Sequence, residues 1–155
     1  LYTVAFEGPG TLSTMAKPEG GTWLADQVAG LREAGVDILL SALTESEQIE
    51  ADLTDEPLEA AYAGLRFVSL PVPDMGLPTT ADVLPTLREL ADDLTAGRHV
   101  AIHCWAGIGR SSVLAAALMV LAGSTPADAI ARISQARGRP VPETPAQRDW
   151  IFNLR

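Results

Sequence analysis

Val100–Val120, "VAIHCWAGIGRSSVLAAALMV", places the only cysteine of a 155-residue chain at the junction of two different patterns. Before it, HVAIH is a short apolar run of strand character. After it, SSVLAAALMVLA is rich in helix formers and apolar on every side, and Gly123 ends it. This order predicts a buried strand, a tight loop and a buried helix. Cys104 then stands at the carboxyl end of the strand and the amino end of the helix, where unpaired N–H groups and a partial positive charge favour an anion. Such a position also favours thiolate over thiol, with reactive cysteines there titrating at roughly 3.5–7.5 rather than about 8.5. Gly107 and Gly109 allow successive backbone N–H groups to converge on a set of oxygens. Arg110 adds a planar fork that holds two oxygens at once.

The remaining sequence alternates strand-like and helix-like segments. LYTVAF reads as a first strand, and Glu7–Gly21, "EGPGTLSTMAKPEGG", reads as a glycine- and proline-rich loop. A helix is predicted from about Thr22 to Gly35, with Trp23, Leu24, Gln27, Val28 and Leu31 at three- and four-residue steps. VDILLSAL is a buried strand, Glu45–Ala63 is two short helices broken near Pro57, and LRFVSLPV is a further strand. A turn-rich loop leads to a helix over Thr80–Ala96, in which Pro85 is expected to distort the first turns. Thr125-Pro126 and Thr144-Pro145 both carry a cap residue followed by proline at the first helical position, so two last helices start there. The alternation predicts an α/β fold, one domain over residues 1–155 with a central, largely parallel sheet flanked by helices. Its ligand crevice is expected at the carboxyl ends of the strands.

Composition limits the partners. The net charge of -9 argues against nucleic acid or an acidic membrane surface, since both need basic patches. A lone cysteine forms no internal disulfide, which points to a reducing, cytoplasmic setting. Two histidines and one cysteine without ligand spacing make no recognisable metal site, and no cofactor is expected.

HCWAGIGRS resembles the His-Cys-five residues-Arg-Ser/Thr signature of the cysteine-dependent protein tyrosine phosphatase superfamily, in its small dual-specificity-like branch of bacterial and cyclin-kinase-associated type. The likeness covers roughly Val36–Arg155, and the preceding residues add little to it. It implies a phosphatase-type α/β sandwich in which Cys104 is the nucleophile, and Trp105, Ala106, Gly107, Ile108, Gly109 and Arg110 bind the substrate phosphate. It also implies an aspartate general acid about thirty residues upstream, and Asp74 in SLPVPDMGLP lies thirty positions before Cys104. Ser111 is then placed to hydrogen-bond the sulfur, His103 to orient the loop backbone, and Gln147 to position the hydrolytic water.

The implied activity is hydrolysis of phosphotyrosine, and also of phosphoserine or phosphothreonine, through a phosphocysteine. The implied partners are a phosphorylated protein or small phosphomonoester, with phosphate or vanadate as site ligands and a monomer as the expected state. Two other readings use the same loop: a phosphoprotein-binding module without turnover, and a relative that performs sulfur or redox chemistry. Absence of a second cysteine disfavours the dithiol route, and sulfur transfer leaves Asp74 unexplained.

Overall fold

In a computed structural model, the described residues 1–154 form a three-layer α/β unit. The strands are β1 (Tyr2–Val4), β2 (Thr11–Met15), β3 (Ile38–Ser41), β4 (Arg66–Ser69) and β5 (His99–His103), in the spatial order β1-β2-β5-β3-β4. Only β1 runs antiparallel, against β2; β2, β5, β3 and β4 are all parallel. The helices are α1 (Leu24–Glu33), α2 (Glu45–Glu50), α3 (Glu56–Ala63), α4 (Thr80–Thr95), α5 (Arg110–Leu121), α6 (Pro126–Arg137) and α7 (Pro145–Phe152). No helix among the described residues is long and apolar enough to cross a membrane.

Strand alternation divides the core. Leu12, Ile38, Leu40, Val100 and Ile102 point to the layer containing α4, α5, α6 and α7. Leu39 and Ala101 point to the opposite layer, where Leu24, Val28 and Leu31 of α1 meet Ala60 of α3. Helix α5 lies inside the larger layer and buries every residue from Arg110 to Met119, which explains its lack of a polar face.

The structure corrects the reading of Glu7–Gly21 as a loop. Thr11–Met15 is β2, an interior strand between β1 and β5. Its Ser13 and Thr14 are buried, so the usual apolar signal is missing. Ser13 Oγ instead lies 3.0 Å from Thr3 Oγ1 and 2.8 Å from His99 Nε2, satisfying a polar strand interior across three strands. Pro85 does not interrupt its helix, as α4 runs continuously from Thr80 to Thr95. Thr125 and Thr144 cap α6 and α7 by accepting from Asp128 N–H and Gln147 N–H.

Because β2, β5, β3 and β4 are parallel, their carboxyl ends open on one edge of the sheet. Met15–Lys17, Thr44–Glu47, Val72–Asp74 and Cys104–Arg110 all emerge there.

Candidate active site

Cys104 follows the last residue of β5 and is buried. The chain from Cys104 to Gly109 belongs to neither strand nor helix, and α5 begins at Arg110. The first N–H groups of α5 therefore face the loop without intrahelical acceptors. Ser111 Oγ is 3.3 Å from Cys104 Sγ and equally buried.

The loop's curvature requires Gly107. Gly107 has φ +73°, and a Cβ there would stand 2.6 Å from Ala16 N and Met15 C, the backbone leaving β2. A Cβ on Gly109 would meet Glu143 Oε1. The loop is also held from outside: Lys17 N–H donates to Trp105 O at 3.2 Å, and Arg137 Nε donates to Gly107 O at 3.0 Å. The Lys17 ammonium stands 4.8 Å from the Trp105 ring centre, and Arg137 stacks 4.2 Å from that of Tyr2. Residues before Val36, which add little to the sequence resemblance, thus brace the outside of the loop.

Arg110 is buried, and its orientation comes from a residue the sequence reading did not select. Glu47 engages it with two oxygens, Nη1 to Oε1 at 2.6 Å and Nη2 to Oε2 at 2.9 Å, while Nη1 also donates to Val72 O at 2.9 Å. Three of the five guanidinium hydrogens are thereby engaged. The Nε–H and the second Nη2 hydrogen form the other edge of the fork, and the Asp74 carboxylate approaches Nη2 to 3.6 Å. The Arg110 hydrogen bonds hold the Glu47 carboxyl below its usual range against the opposing effect of burial, and Thr44 N–H assists. For Arg110, burial opposes the charged form, but hydrogen bonding and charge from Glu47, with Cys104 and Asp74 beyond it, raise it overall.

Glu47 does double duty. Its Oε1 accepts from Thr44 N–H and Thr44 Oγ1, each at 3.1 Å, so the capping box of α2 also grips the loop arginine. The Thr44-x-x-Glu47 spacing was a readable cap signal; its reach to a residue 63 positions away was not.

Asp74 lies on the loop after β4, and its side chain is largely exposed. Gln147, which the resemblance implied as the residue positioning the hydrolytic water, is fully buried. Its Oε1 accepts from Glu143 N–H at 3.0 Å and Thr144 N–H at 3.2 Å, and its Nε2 donates to Gly76 O at 3.3 Å. It therefore ties the start of α7 to the loop that bears Asp74. His103 is buried, with Nδ1 3.2 Å from Cys104 O and Nε2 2.6 Å from Glu56 Oε2. Trp105 and Asp74, with Thr44, Ser46, Glu47, Glu50 and Pro73, line a pocket of about 470 Å³ at this edge of the sheet.

Comparison with known proteins agrees with this geometry. A family model described as "Polymorphic toxin system, DSP-PTPase phosphatase" matches residues 13–124, from within β2 to just beyond α5. The chain belongs to this dual-specificity phosphatase family. Its match begins at β2, earlier than Val36, where the sequence resemblance was placed. Cyclin-dependent kinase inhibitor 3 of Mus musculus is 34% identical over 86 residues, 55% of this chain and 41% of that protein. The Sus scrofa counterpart is 33% identical over 87 residues, with the same coverage. The match thus spans about two fifths of the length of these curated relatives.

Among solved structures, kinase associated phosphatase with its catalytic cysteine replaced by serine superposes with a TM-score of 0.83 at 23% identity, over 94% of this chain and 85% of the other. A Leishmania major protein described as a protein tyrosine phosphatase gives 0.78 at 23% identity, over 99% and 97%. At that identity these structures establish the fold, a phosphatase α/β sandwich.

Proposed function

We propose that the protein hydrolyses phosphomonoesters, with phosphotyrosine, phosphoserine or phosphothreonine of a protein as substrate, through a phosphocysteine intermediate. The observation that supports this most directly is the 3.3 Å contact of Cys104 Sγ with Ser111 Oγ at the amino end of α5, whose first residue, Arg110, is oriented by Glu47. An anion there faces convergent N–H donors and a guanidinium already oriented by Glu47.

The Cys104 thiolate attacks phosphorus in line. The S–P bond forms as the P–O bond to the leaving alcohol breaks, and Asp74 supplies the proton that alcohol takes. Arg110 and the N–H groups of Trp105 to Gly109 hold the equatorial oxygens as their charge redistributes. In the second half-reaction, water attacks phosphorus, the Asp74 carboxylate takes its proton, and the S–P bond breaks. Ser111, 3.3 Å from the sulfur, donates to the departing thiolate. His103 orients the loop through the Cys104 carbonyl. Gln147 acts through Gly76 by holding the Asp74 loop in place. Phosphate and vanadate are the expected inhibitors, both seated in the loop.

The test is hydrolysis of para-nitrophenyl phosphate and of an aryl phosphate with a more basic leaving group, in EDTA. Cys104→Ser should abolish turnover of both. Asp74→Asn should slow the poorer leaving group by about 10²-fold and the nitrophenyl ester much less, because nitrophenolate needs little protonation. Pure wild-type protein that binds vanadate yet turns over neither ester would overturn the hydrolase reading and leave a phosphate-binding module.

A further inference from the structure

The ring of His103 is held at both nitrogens. A carbonyl oxygen only accepts, so the 3.2 Å contact with Cys104 O requires hydrogen on Nδ1. At the other side, Nε2 lies 2.6 Å from Oε2 of Glu56, the first residue of α3. One proton lies between these two atoms. Whether it resides on the ring or on the carboxyl, Nδ1 must keep its own hydrogen.

We propose that Glu56 is a positioning residue for the nucleophile: it fixes His103 with Nδ1–H on the Cys104 carbonyl, and so holds that peptide with its oxygen turned away from the sulfur. The proposal rests on the reading of Cys104 as nucleophile. It adds a carboxylate that neither the signature motif nor the chain's resemblance assigns.

A structural role alone explains Glu56 poorly. The side chain is 1% exposed, and its Oε1 has no hydrogen-bond partner among the described residues. A carboxyl buried with one oxygen unsatisfied costs stability relative to an apolar side chain of similar size. Among the described residues, the one polar contact of its side chain is the ring beside Cys104. Without Glu56, a neutral His103 is free to carry its hydrogen on Nε2, and the Nδ1 lone pair would then oppose the Cys104 carbonyl. That peptide would turn, and the N–H groups following it would lose their aim at the sulfur and the phosphate.

The variants Glu56→Gln and Glu56→Leu separate the possibilities. Glutamine can donate an amide hydrogen to Nε2 and preserve hydrogen on Nδ1; leucine cannot. Cys104 is the only thiol, so the pH at half-maximal rate of its alkylation by iodoacetamide reads its state without any turnover. Arg110 from α5, Asp74 from the loop after β4 and Glu47 from α2 also face Cys104 or its loop, and they are the same in every variant.

Glu56→Leu is expected to shift the alkylation midpoint upward by about one pH unit. It should lower kcat/KM about tenfold at pH 6, with much of the loss recovered at pH 8 as the thiolate re-forms. Glu56→Gln should keep the midpoint within a few tenths of a unit and kcat/KM within about threefold. Nitrogen NMR of wild-type protein, with His99 as the only other histidine, should show hydrogen on Nδ1 of His103 throughout this range.

An unmoved midpoint in folded Glu56→Leu, or a shift in Glu56→Gln as large as in Glu56→Leu, would overturn the proposal. Should Glu56→Leu fail to fold, a His103 resonance with hydrogen on Nε2 alone would overturn it from the wild type. Wild-type protein lacking turnover while its alkylation midpoint still responds to Glu56 would instead count against the hydrolase reading.

Discussion

The two ends of the Cys104–Arg110 loop are both braced by carboxylates from the segment between β3 and β4, and the two braces are built differently. At the arginine end, Glu47 is a satisfied ion: both oxygens bond Arg110, and Oε1 also caps α2. At the cysteine end, Glu56 is deeper, makes one short contact to His103, and leaves an oxygen without a partner among the described residues. A satisfied pair fixes geometry and contributes to stability; a half-satisfied one is retained against a stability cost. The arginine brace should therefore register in both folding and turnover, and the cysteine brace mainly in the chemistry of the thiol.

The largest effect should come from removing the loop shape that both braces presuppose. Gly107→Ala adds a methyl group 2.6 Å from the Met15–Ala16 backbone at φ +73°. Neither neighbour is a flexible side chain, so the loop must move. A shift of about 1 Å in the N–H donors is enough to reduce kcat/KM by about 10²-fold. The measurement is turnover beside a melting curve: an active, folded Gly107→Ala protein would show that the β2 wall does not set the loop.

The next effect isolates the arginine brace. Glu47→Gln leaves the buried Arg110 without its bidentate counter-charge and with only the exposed Asp74 carboxylate nearby, at a cost on the order of 3 kcal/mol in stability and about tenfold or more in kcat/KM. The sign of the pH dependence follows from the lowered Glu47 carboxyl. Its contribution is present above the unfolded value of about 4.3 and is lost as pH falls through the depressed folded value. Wild-type protein should therefore lose stability below about pH 4.5 more steeply than Glu47→Gln does, in urea denaturation at stepped pH. Parallel acid limbs would mean the pair does not stabilise the fold.

This contrast also shows what the sequence made legible. β3, β5 and the buried α5 were readable because each holds an unbroken apolar run of the right length, and the caps at Thr125 and Thr144 were readable because each is followed at once by a proline at the first helical position. β2 was not, because a strand buried through Ser13 and Thr14 between glycines and prolines has the composition of a loop. Cys104, Arg110 and Ser111 share one short stretch, so their spacing marked them together. Glu47 and Glu56 meet their partners across 63 and 47 positions, and charge in an acidic segment looks like any solvated helix face. Only the parallel sheet, by bringing the ends of β3 and β5 side by side, turns two of those acidic residues inward.

The smallest effect tests whether the loop needs its outer brace once both carboxylates are in place. Arg137 reads from the sequence as a residue of a solvated turn after a helix, with contact to a second negative charge of a substrate as the alternative. In the structure its Nε–H reaches Gly107 O at 3.0 Å and its guanidinium covers Tyr2, linking α6 and β1 to the outside of the loop. One charge-assisted hydrogen bond and a partly exposed stacking contact amount to about 1–2 kcal/mol. Arg137→Ala should lower kcat/KM a few-fold and the melting temperature by a few degrees, whereas Arg137→Lys should recover the stacking with Tyr2 but not the directed bond to Gly107. Lysine matching wild type in turnover would reduce Arg137 to a surface charge. Lysine matching alanine in turnover while restoring stability would separate the hold on Gly107 from the packing of α6, and would show that the outer brace acts on the loop itself.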